Sequence, residues 1–268
     1  FVAALVDALR TSSNLPAPAD ATLHAVIGVP ASAPGTQRLV MLEAFRAAGV
    51  VVDGVLNEPS AAAFEYTHRH RRTLSARRDR LVVYDLGGGT FDASLVHITE
   101  RTHEVLTTAG LNQLGGDDFD DALLQLVQRE AGVPADHALR ERCRLAKEAL
   151  TPQTRKLTIE VADDAEVTIA IGVYADACAA LVARTIEVTD RVMAHQAPDG
   201  AEPVNVAGLY VVGGGSGLPQ ITRALRDRYG RLVHRSPYGF AATAIGLAIA
   251  ADPEAGFALH DRFARVFG

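Results

Sequence analysis

Apolar residues recur along the chain at two spacings, and the two spacings alternate. Helical spacing predicts helices over 1–10, 36–49, 118–132, 138–150, 174–195, 220–230 and 240–251, with a further Ala-rich helix after Pro59. Buried or alternating apolar runs predict strands over 23–30, 50–56, 81–85, 91–98, 104–110 and 209–212, and a strand pair near 156–173. Strands that alternate with helices in this order indicate a layered α/β architecture.

The order of these elements contains a weak internal repeat. Helix, apolar strand, proline-containing turn and helix follow one another over 1–49 and again over 174–230. A glycine-turn hairpin and a third strand precede the second copy, whereas nothing precedes the first. The repeat therefore predicts that the chain lacks the N-terminal hairpin of its first half. A polar, basic stretch over 67–80 predicts a connector and a domain boundary.

Composition narrows the class of protein. The 268 residues are 48% hydrophobic and 22% charged, which excludes disordered, collagen-like and coiled-coil chains. The net charge of −6 gives no field that gathers nucleic acid, and the arginines of 67–80 are interpreted as a solvated loop. The longest apolar run, 240–251, is too short for a membrane span, and the sequence offers no support for secretion. We therefore expect a cytoplasmic protein without nucleic-acid or membrane partners.

The first candidate for chemistry is the glycine triplet 87–89 between two predicted strands. Without a Cβ, its backbone N–H groups can approach an anion closely. It has neither the lysine of a Walker loop nor the following helix of a Rossmann loop, so we interpret it as a phosphate-binding hairpin turn. Asp85 precedes the triplet, and Thr90 and Asp92 follow it. A carboxylate beside polyphosphate needs a cation, so Asp85 predicts Mg²⁺ bound through water. An ordinary hairpin turn, with aspartate as the turn former, stays open as the alternative.

A second glycine turn, 213–215, lies between a predicted strand and a predicted helix. It is suited to hold a nucleoside or phosphate at the helix N-terminus. Tight packing of the turn beneath the helix is the equal alternative. A serine hydrolase is disfavoured, because a GxSxG motif around Ser216 needs glycine where the chain has Leu218.

Six segments together carry a resemblance to a known family. They are AVIGVPASAPGTQR (25–38), VLNEPSAAAFEY (55–66), VVYDLGGGTFD (82–92), LGGDDFD (114–120), RLAKEALT (144–151) and VVGGGSGLP (211–219). In this order, and on a duplicated scaffold, they resemble the actin-like ATPases and, within them, the DnaK-type heat shock protein 70 chaperones. The resemblance runs from Phe1 to about Asp252.

The resemblance implies an α/β, actin-like ATPase (ribonuclease H-like) fold with lobe II complete and lobe I partial. The implied divisions are 1–80 for the remnant of lobe I, 81–116 with 174–252 for subdomain IIA, 117–173 for subdomain IIB, and 253–268 for a C-terminal helix or linker. The family's first phosphate hairpin and its catalytic lysine are expected upstream of Phe1, and its peptide-binding domain is expected beyond Gly268.

The resemblance also implies roles for individual residues. Thr90 would lie near the γ-phosphate, Asp85 would orient Mg²⁺ waters, and Glu58 would help to position the attacking water or the metal shell. Glu58 as a helix-entry cap remains the alternative. Pro30 and Arg38 match positions that relay nucleotide state between lobes; their plain interpretations are a strand stop and an exposed helical arginine. The residues expected to bind ATP or ADP are Gly87, Gly88, Gly89, Gly115, Gly116, Arg144, Lys147, Thr151, Gly213, Gly214 and Gly215.

The predicted adenosine site departs from the family pattern. Arg144, Lys147 and Thr151 fall at i, i+3 and i+7, one face of a predicted helix. Arg144 stands where the family usually has a ribose-binding glutamate, and Gly217 stands where an arginine usually stacks on adenine. The segment 236–242 differs as well. These departures predict weaker ATP binding, altered base preference or a degenerate site. A solvated amphipathic helix is the plain interpretation of 144–151.

The preferred hypothesis is therefore an ATPase-domain fragment of a DnaK-like chaperone, in which Mg²⁺–ATP binding and hydrolysis are coupled to client binding. The resemblance implies unfolded client proteins, bound through an absent domain, and a J-domain co-chaperone and a nucleotide exchange factor as partners. The fragment alone is expected to turn over ATP poorly. Two alternatives stay open: a nucleotide-binding or interaction module without hydrolysis, and an actin-like small-molecule kinase.

Overall fold

The computed structural model describes residues 1–14, 21–75, 78–99, 102–162, 165–195 and 205–256. Its helices are α1 (Val2–Ser12), α2 (Gly35–Ala47), α3 (Glu58–His70), α4 (Gly116–Ala131), α5 (His137–Glu148), α6 (Ile171–Met193), α7 (Pro219–Tyr229) and α8 (Ala242–Ala251). Its strands are β1 (Leu23–Val29), β2 (Val50–Asn57), β3 (Arg80–Leu86), β4 (Phe91–Ile98), β5 (His103–Leu111), β6 (Lys156–Ala162), β7 (Ala165–Ala170), β8 (Val206–Val212) and β9 (Val233–Arg235). The α/β fold class is confirmed, and the short β9 is an addition to the predicted elements.

The largest sheet has the strand order β5-β4-β3-β8-β9. β3 pairs antiparallel with β4 and parallel with β8, so a hairpin strand and a crossover strand flank it on its two edges. β1 and β2 form a separate parallel pair, and β6 and β7 form an antiparallel hairpin. Among the helices that the structure describes, none combines the length and apolar character that a bilayer-spanning segment requires.

The internal repeat extends further in the structure than in the sequence. The order α1-β1-α2-β2-α3 recurs as α6-β8-α7-β9-α8. In both copies the two strands pair in parallel. The closing helices of the two copies, α3 and α8, pack against each other.

Strand β3 lies between two hydrophobic cores. Val82, Tyr84 and Leu86 belong to the core under α4, α6 and α7, whereas Leu81 and Val83 belong to the core under α3. Side chains alternate between the faces of a strand, so a continuous apolar run is what a strand covered on both faces requires. The glycine triplet therefore follows directly on a strand that is buried on both faces.

The predicted connector over 67–80 begins too early. Helix α3 continues through His70, and its Thr67 is buried. The Thr67 hydroxyl donates to the Ala63 carbonyl and contacts Nε2 of His103 at 2.8 Å. Thr67 can be buried in the helix because its hydroxyl has these two polar partners, which the polarity pattern of a single segment does not reveal. Residues 76 and 77 of the connector lie outside the described residues.

Helix α8 packs against α3 and β1, although the predicted division groups it with the five-stranded sheet. We therefore propose that 242–251 be grouped with the 1–80 unit. The remaining lobe boundaries stay predictions. Of the predicted C-terminal helix or linker, 253–255 form a single 3₁₀ turn, and 257–268 lie outside the described residues.

The crossing of α3 and α8 depends on Gly246. A Cβ on Gly246 would overlap the carbonyl of Ala61, which is backbone and cannot rotate away. We expect Gly246→Ala to lower the free energy of unfolding by about 1–3 kcal/mol, because the two helices must separate. Urea unfolding followed by circular dichroism measures this change.

Gly172 in α6 supplies the matched control, because a Cβ there meets nothing within 4 Å. Gly172→Ala should be neutral, or stabilising by about 0.5 kcal/mol, through the better helix propensity of alanine. Equal stability of the two variants would contradict the close α3–α8 crossing.

Candidate functional site

The glycine triplet forms the turn of the β3–β4 hairpin. Asp85 is paired with Asp92 across the two strands, and the Gly87 N–H donates to the Thr90 carbonyl at 2.9 Å, which closes the turn. Gly88 and Gly89 are exposed, and a Cβ on either would meet nothing within 4 Å. The turn thus presents open backbone toward solvent, as an anion-binding turn must.

The second glycine turn packs directly behind the first. Gly213 has a φ of +85°, and a Cβ on it would overlap the Leu86 carbonyl and the Asp85 carboxylate. A Cβ on Gly215 would lie 2.9 Å from the Gly87 carbonyl oxygen. The tight-packing interpretation therefore accounts for these two glycines. Gly214 is exposed with open space before it, so only this position leaves free backbone for a ligand.

A third glycine turn, Gly115–Gly116, completes the contact at the start of α4. The Gly116 N–H donates to the Gly87 carbonyl at 2.9 Å, and the Asp117 N–H donates to the Gly88 carbonyl at 2.8 Å. A Cβ on Gly115 would overlap the Gly88 backbone. The first N–H groups of α4 thus donate to the carbonyls of Gly87 and Gly88. The Gly87 N–H is used within the turn, whereas the N–H groups of Gly88 and Gly89 have no backbone acceptor among the described residues.

The three turns line one cleft of about 420 Å³. Its wall is formed by Gly88, Gly116, Asp117, Asp120, Arg144, Lys147, Glu148, Leu150, Gly214, Gly215, Gly217, Leu218 and Phe240. This volume is in the range of small-molecule sites. Two sequence-predicted side chains, Arg144 and Lys147, thus lie in the same cleft as the glycine turns.

Lys147 is held by the protein itself. Its side chain is 7% exposed, its Nζ lies 2.7 Å from Asp120 Oδ1, and it donates to the Gly116 carbonyl at 2.9 Å. The ion pair compensates the burial of both charges, since an unpaired buried ammonium is strongly unfavourable. Lys147 therefore joins α5 to the first turn of α4. Sequence reasoning missed Asp120 as its partner, because nothing in LGGDDFD marks which aspartate faces inward.

Arg144 is also paired within its own helix. Its guanidinium donates to Glu141, three residues earlier, and to Glu148, four residues later, at 2.9 Å and 2.8 Å. Glu148 lines the cleft as well. Ion pairs between exposed side chains on one helix contribute little to stability, so a ligand can compete for either partner.

The prediction that Thr151 shares this helix face is wrong. Helix α5 ends at Glu148, and Thr151 lies in the turn that follows. It is exposed, its hydroxyl contacts that of Thr154 at 3.2 Å, and it is not among the residues that line the cleft. The helix stops before the i+7 position because Pro152 follows and because the Thr151 N–H donates instead to the Thr154 side-chain hydroxyl.

Three carboxylates surround a small cavity beside the triplet. Glu58, the first residue of α3, lines it together with Asp85 and Asp92. The cavity measures about 10 Å³, close to the room that one water needs. Burial, followed by the charges of Asp85 and Asp92, raises the pKa of Glu58 to about 7. Burial and the charge of Asp92 raise the pKa of Asp85 to about 6, and burial raises the pKa of Asp92.

These carboxylates repel one another and lack a cationic partner within the cavity. In the described part of the chain, no three His, Cys, Asp or Glu side chains are placed to hold a metal ion directly. A cation at this site would therefore be bound through water, in the manner that Mg²⁺ prefers.

Arg38 connects the loop after β1 to the residue before Glu58. Its guanidinium donates to the Pro30 carbonyl at 3.2 Å and to Asn57 Oδ1 at 2.5 Å. The interpretation of Arg38 as a plainly exposed arginine is thus wrong, because it is half-buried and bonded at both ends. Its role as a relay stays a prediction.

Glu58 predicts a pH dependence of stability. With a folded pKa of about 7 against an ordinary 4.5, the folded chain binds more protons than the unfolded chain between these pH values. Stability therefore falls as pH rises through that window. Glu58→Gln has no proton to lose, so its stability relative to the parent chain should rise by about 1–3 kcal/mol between pH 4.5 and pH 8. Urea unfolding at several pH values measures this, and a difference that does not change with pH would contradict it.

Comparison with known proteins agrees with this geometry. A family profile described as Hsp70 protein matches residues 2–261. A "Chaperone protein HscA homolog" of Cupriavidus necator is 36% identical over 220 residues, which cover 79% of this chain and 34% of the relative. A protein of the same name from Azotobacter vinelandii is 35% identical over 249 residues, 87% of this chain and 37% of the relative. The chain thus spans about a third of the length of these curated relatives. The resemblance found in the sequence is confirmed, and the chain belongs to the Hsp70 family.

Proposed function

We propose that this chain is the nucleotide-binding part of an Hsp70-type chaperone ATPase and that it binds ADP and ATP with Mg²⁺. The observation that carries the proposal is the meeting of three glycine turns at the wall of one cleft. Gly88 and Gly214 supply open backbone there, and Gly116 completes the wall. Backbone N–H groups without a neighbouring Cβ are suited to polyphosphate oxygens.

The carboxylates beside the triplet fit a hydrated magnesium ion. Oxygen ligands suit Mg²⁺, which keeps several of its waters and is held by one or two carboxylates together with substrate phosphates. In this proposal Asp85 holds the ion through water, with Asp92 beside it. When bound, the ion would neutralise phosphate charge, which is the main electrostatic requirement of phosphoryl transfer.

Glu58 and Thr90 are proposed to act on hydrolysis. A carboxyl with a pKa of about 7 exchanges its proton readily at neutral pH, so Glu58 is suited to position a water and to accept its proton. Thr90 is exposed and lines a second cleft of about 590 Å³ with Asp92 and Pro30, on the side of the triplet that faces the 1–80 unit. Its hydroxyl would there contact the terminal phosphate.

Binding without hydrolysis by this chain is the second candidate, and one observation favours it. The chain has two lysines, Lys147 and Lys156. Lys147 is paired with Asp120, and Lys156 lies on β6, outside the residues that line the cleft. Neither is free to stabilise a transferring phosphoryl group.

In a longer protein that carries this chain, we propose that nucleotide state controls client binding in the cytoplasm, assisted by a J-domain co-chaperone and an exchange factor.

The small-molecule kinase alternative finds no support among the comparisons, because the relatives reported above are named as chaperones. Phosphorylation of a sugar or acid substrate would be needed to revive it.

Calorimetric titration of the 268-residue chain with ADP tests the binding proposal. With Mg²⁺, Asp85→Asn should weaken ADP binding by about tenfold, because the ion loses a carboxylate partner. With EDTA, the same variant should bind ADP at least as well as the parent chain, because a carboxylate that repels phosphate is gone.

Asp53→Asn is the matched control. Asp53 lies on β2, is exposed and contacts His24, outside the residues that line the cleft. Its replacement should change ADP affinity under neither condition. Failure of the parent chain to bind ADP with or without Mg²⁺ would overturn the proposal for this chain.

Thr90 separates binding from hydrolysis in a full-length protein. Thr90→Ala should lower kcat by about tenfold or more while changing ADP affinity by no more than about twofold, because its hydroxyl acts near the terminal phosphate only. Thr99→Ala, in the exposed β4–β5 turn, serves as the control in steady-state ATPase assays. An unchanged kcat for Thr90→Ala would remove Thr90 from the mechanism.

A further inference from the structure

We propose that Phe240 is the surface on which the base of the nucleotide stacks. This inference rests on the proposed nucleotide site and deepens it by naming the residue that recognises the base. Sequence reasoning left the base-binding wall of the cleft without an assigned side chain, because Gly217 has none.

Phe240 is 83% exposed and lines the same cleft as the three glycine turns. A single exposed phenyl ring is ordinary on a protein surface. Its place in this cleft is what distinguishes it, because the lining otherwise combines glycine backbone and charged groups with only two other apolar side chains, Leu150 and Leu218. A cleft that joins open backbone to an aromatic ring matches a ligand with an anionic part and a flat, apolar part.

The backbone around Phe240 is held rigidly against the second glycine turn. The Gly213 N–H donates to the Gly239 carbonyl at 2.9 Å, one residue before Phe240. The Ser236 N–H donates to the Val211 carbonyl at 3.1 Å, which fixes the start of the segment at the end of β8. Gly239–Ala241 then forms a 3₁₀ turn. The backbone that carries the ring is thus held in place, which reduces the conformational entropy that this segment loses on binding.

The buried carboxylate of Glu65 also holds the segment that carries Phe240. The hydroxyl of Tyr210 and the guanidinium of Arg69 donate to Glu65, and the Ser236 hydroxyl donates to it at 3.4 Å. The Tyr238 N–H in turn donates to Ser236 Oγ at 3.1 Å. Two hydrogen-bonded layers therefore support the ring's backbone.

The glycine turn beside Phe240 leaves room in the cleft for a planar ring. A Cβ on Gly217 or on Gly214 would meet nothing within 4 Å. Every nucleobase has a π-face, and base–aromatic stacking is among the stronger contacts that a single side chain makes with a base. The ligand class that this arrangement recognises is therefore a nucleoside di- or triphosphate.

The absence of tryptophan in the chain makes the test direct. Phe240→Trp introduces the sole indole, and ADP should quench its fluorescence by stacking, whereas pyrophosphate, which has no base, should not. Tyr238→Trp is the matched control: Tyr238 belongs to the same segment and is exposed, but it contacts Arg69 and does not line the cleft. ADP should leave its fluorescence unchanged.

Calorimetry on Phe240→Ala gives the second readout. ADP binding should weaken by about tenfold, and pyrophosphate binding should be unchanged. If ADP and pyrophosphate both bind the parent chain but Phe240→Ala keeps full ADP affinity, the stacking surface is wrong while the nucleotide site stands. If the parent chain binds neither, the proposed function fails, and the stacking surface fails with it.

Discussion

The structure depends on a close approach of three backbone turns, which only glycine permits. Side chains at Gly213 or Gly115 would occupy the space of the Leu86 and Gly88 backbone, respectively, so the turns contact one another through carbonyls and N–H groups. The Gly116 and Asp117 N–H groups donate to carbonyls of the β3–β4 turn, whereas Gly213 packs against Leu86 and donates its N–H to the Gly239 carbonyl. The N–H groups of Gly88 and Gly89 have no backbone acceptor among the described residues. The packing thereby decides which backbone groups are available to a ligand.

Strand order explains why the turns meet. β3 lies between β4 and β8, and β8 runs parallel to it, so the carboxyl ends of both strands lie at the same edge of the sheet. Helix α3 packs on the face of the sheet that Leu81 and Val83 form, which brings its first residue, Glu58, to the same edge. The acidic cavity therefore forms where the start of α3 meets the β3–β4 hairpin, because α3 covers one face of the sheet.

Periodicity and glycine placement predicted most of this arrangement, because both report local requirements. The turn at 87–89 and its antiparallel partner strand follow from the apolar runs on either side. The ends of α5 and α3 were missed for a different reason. Thr151 lies beyond a helix that a local hydrogen bond stops, and Thr67 lies within a helix that a distant His103 stabilises. The packing of α8 on α3 and the presence of Phe240 in the cleft are likewise tertiary contacts. The residue pattern within one segment cannot predict them.

The charges around the turns explain why a metal ion is proposed at this site. The two cations of the cleft are already neutralised: Lys147 contacts Asp120, and Arg144 contacts glutamates of its own helix. On the other side of the triplet, Glu58, Asp85 and Asp92 have no cation among the residues that line their cavity. Burial, followed by the neighbouring carboxylates, raises the pKa of Glu58 and of Asp85. A polyphosphate that arrives alone would add negative charge to a region that already repels it. Under the proposed function, a divalent ion would reduce the repulsion among the carboxylates and their repulsion of the phosphate. The phosphate could then bind the open glycine backbone.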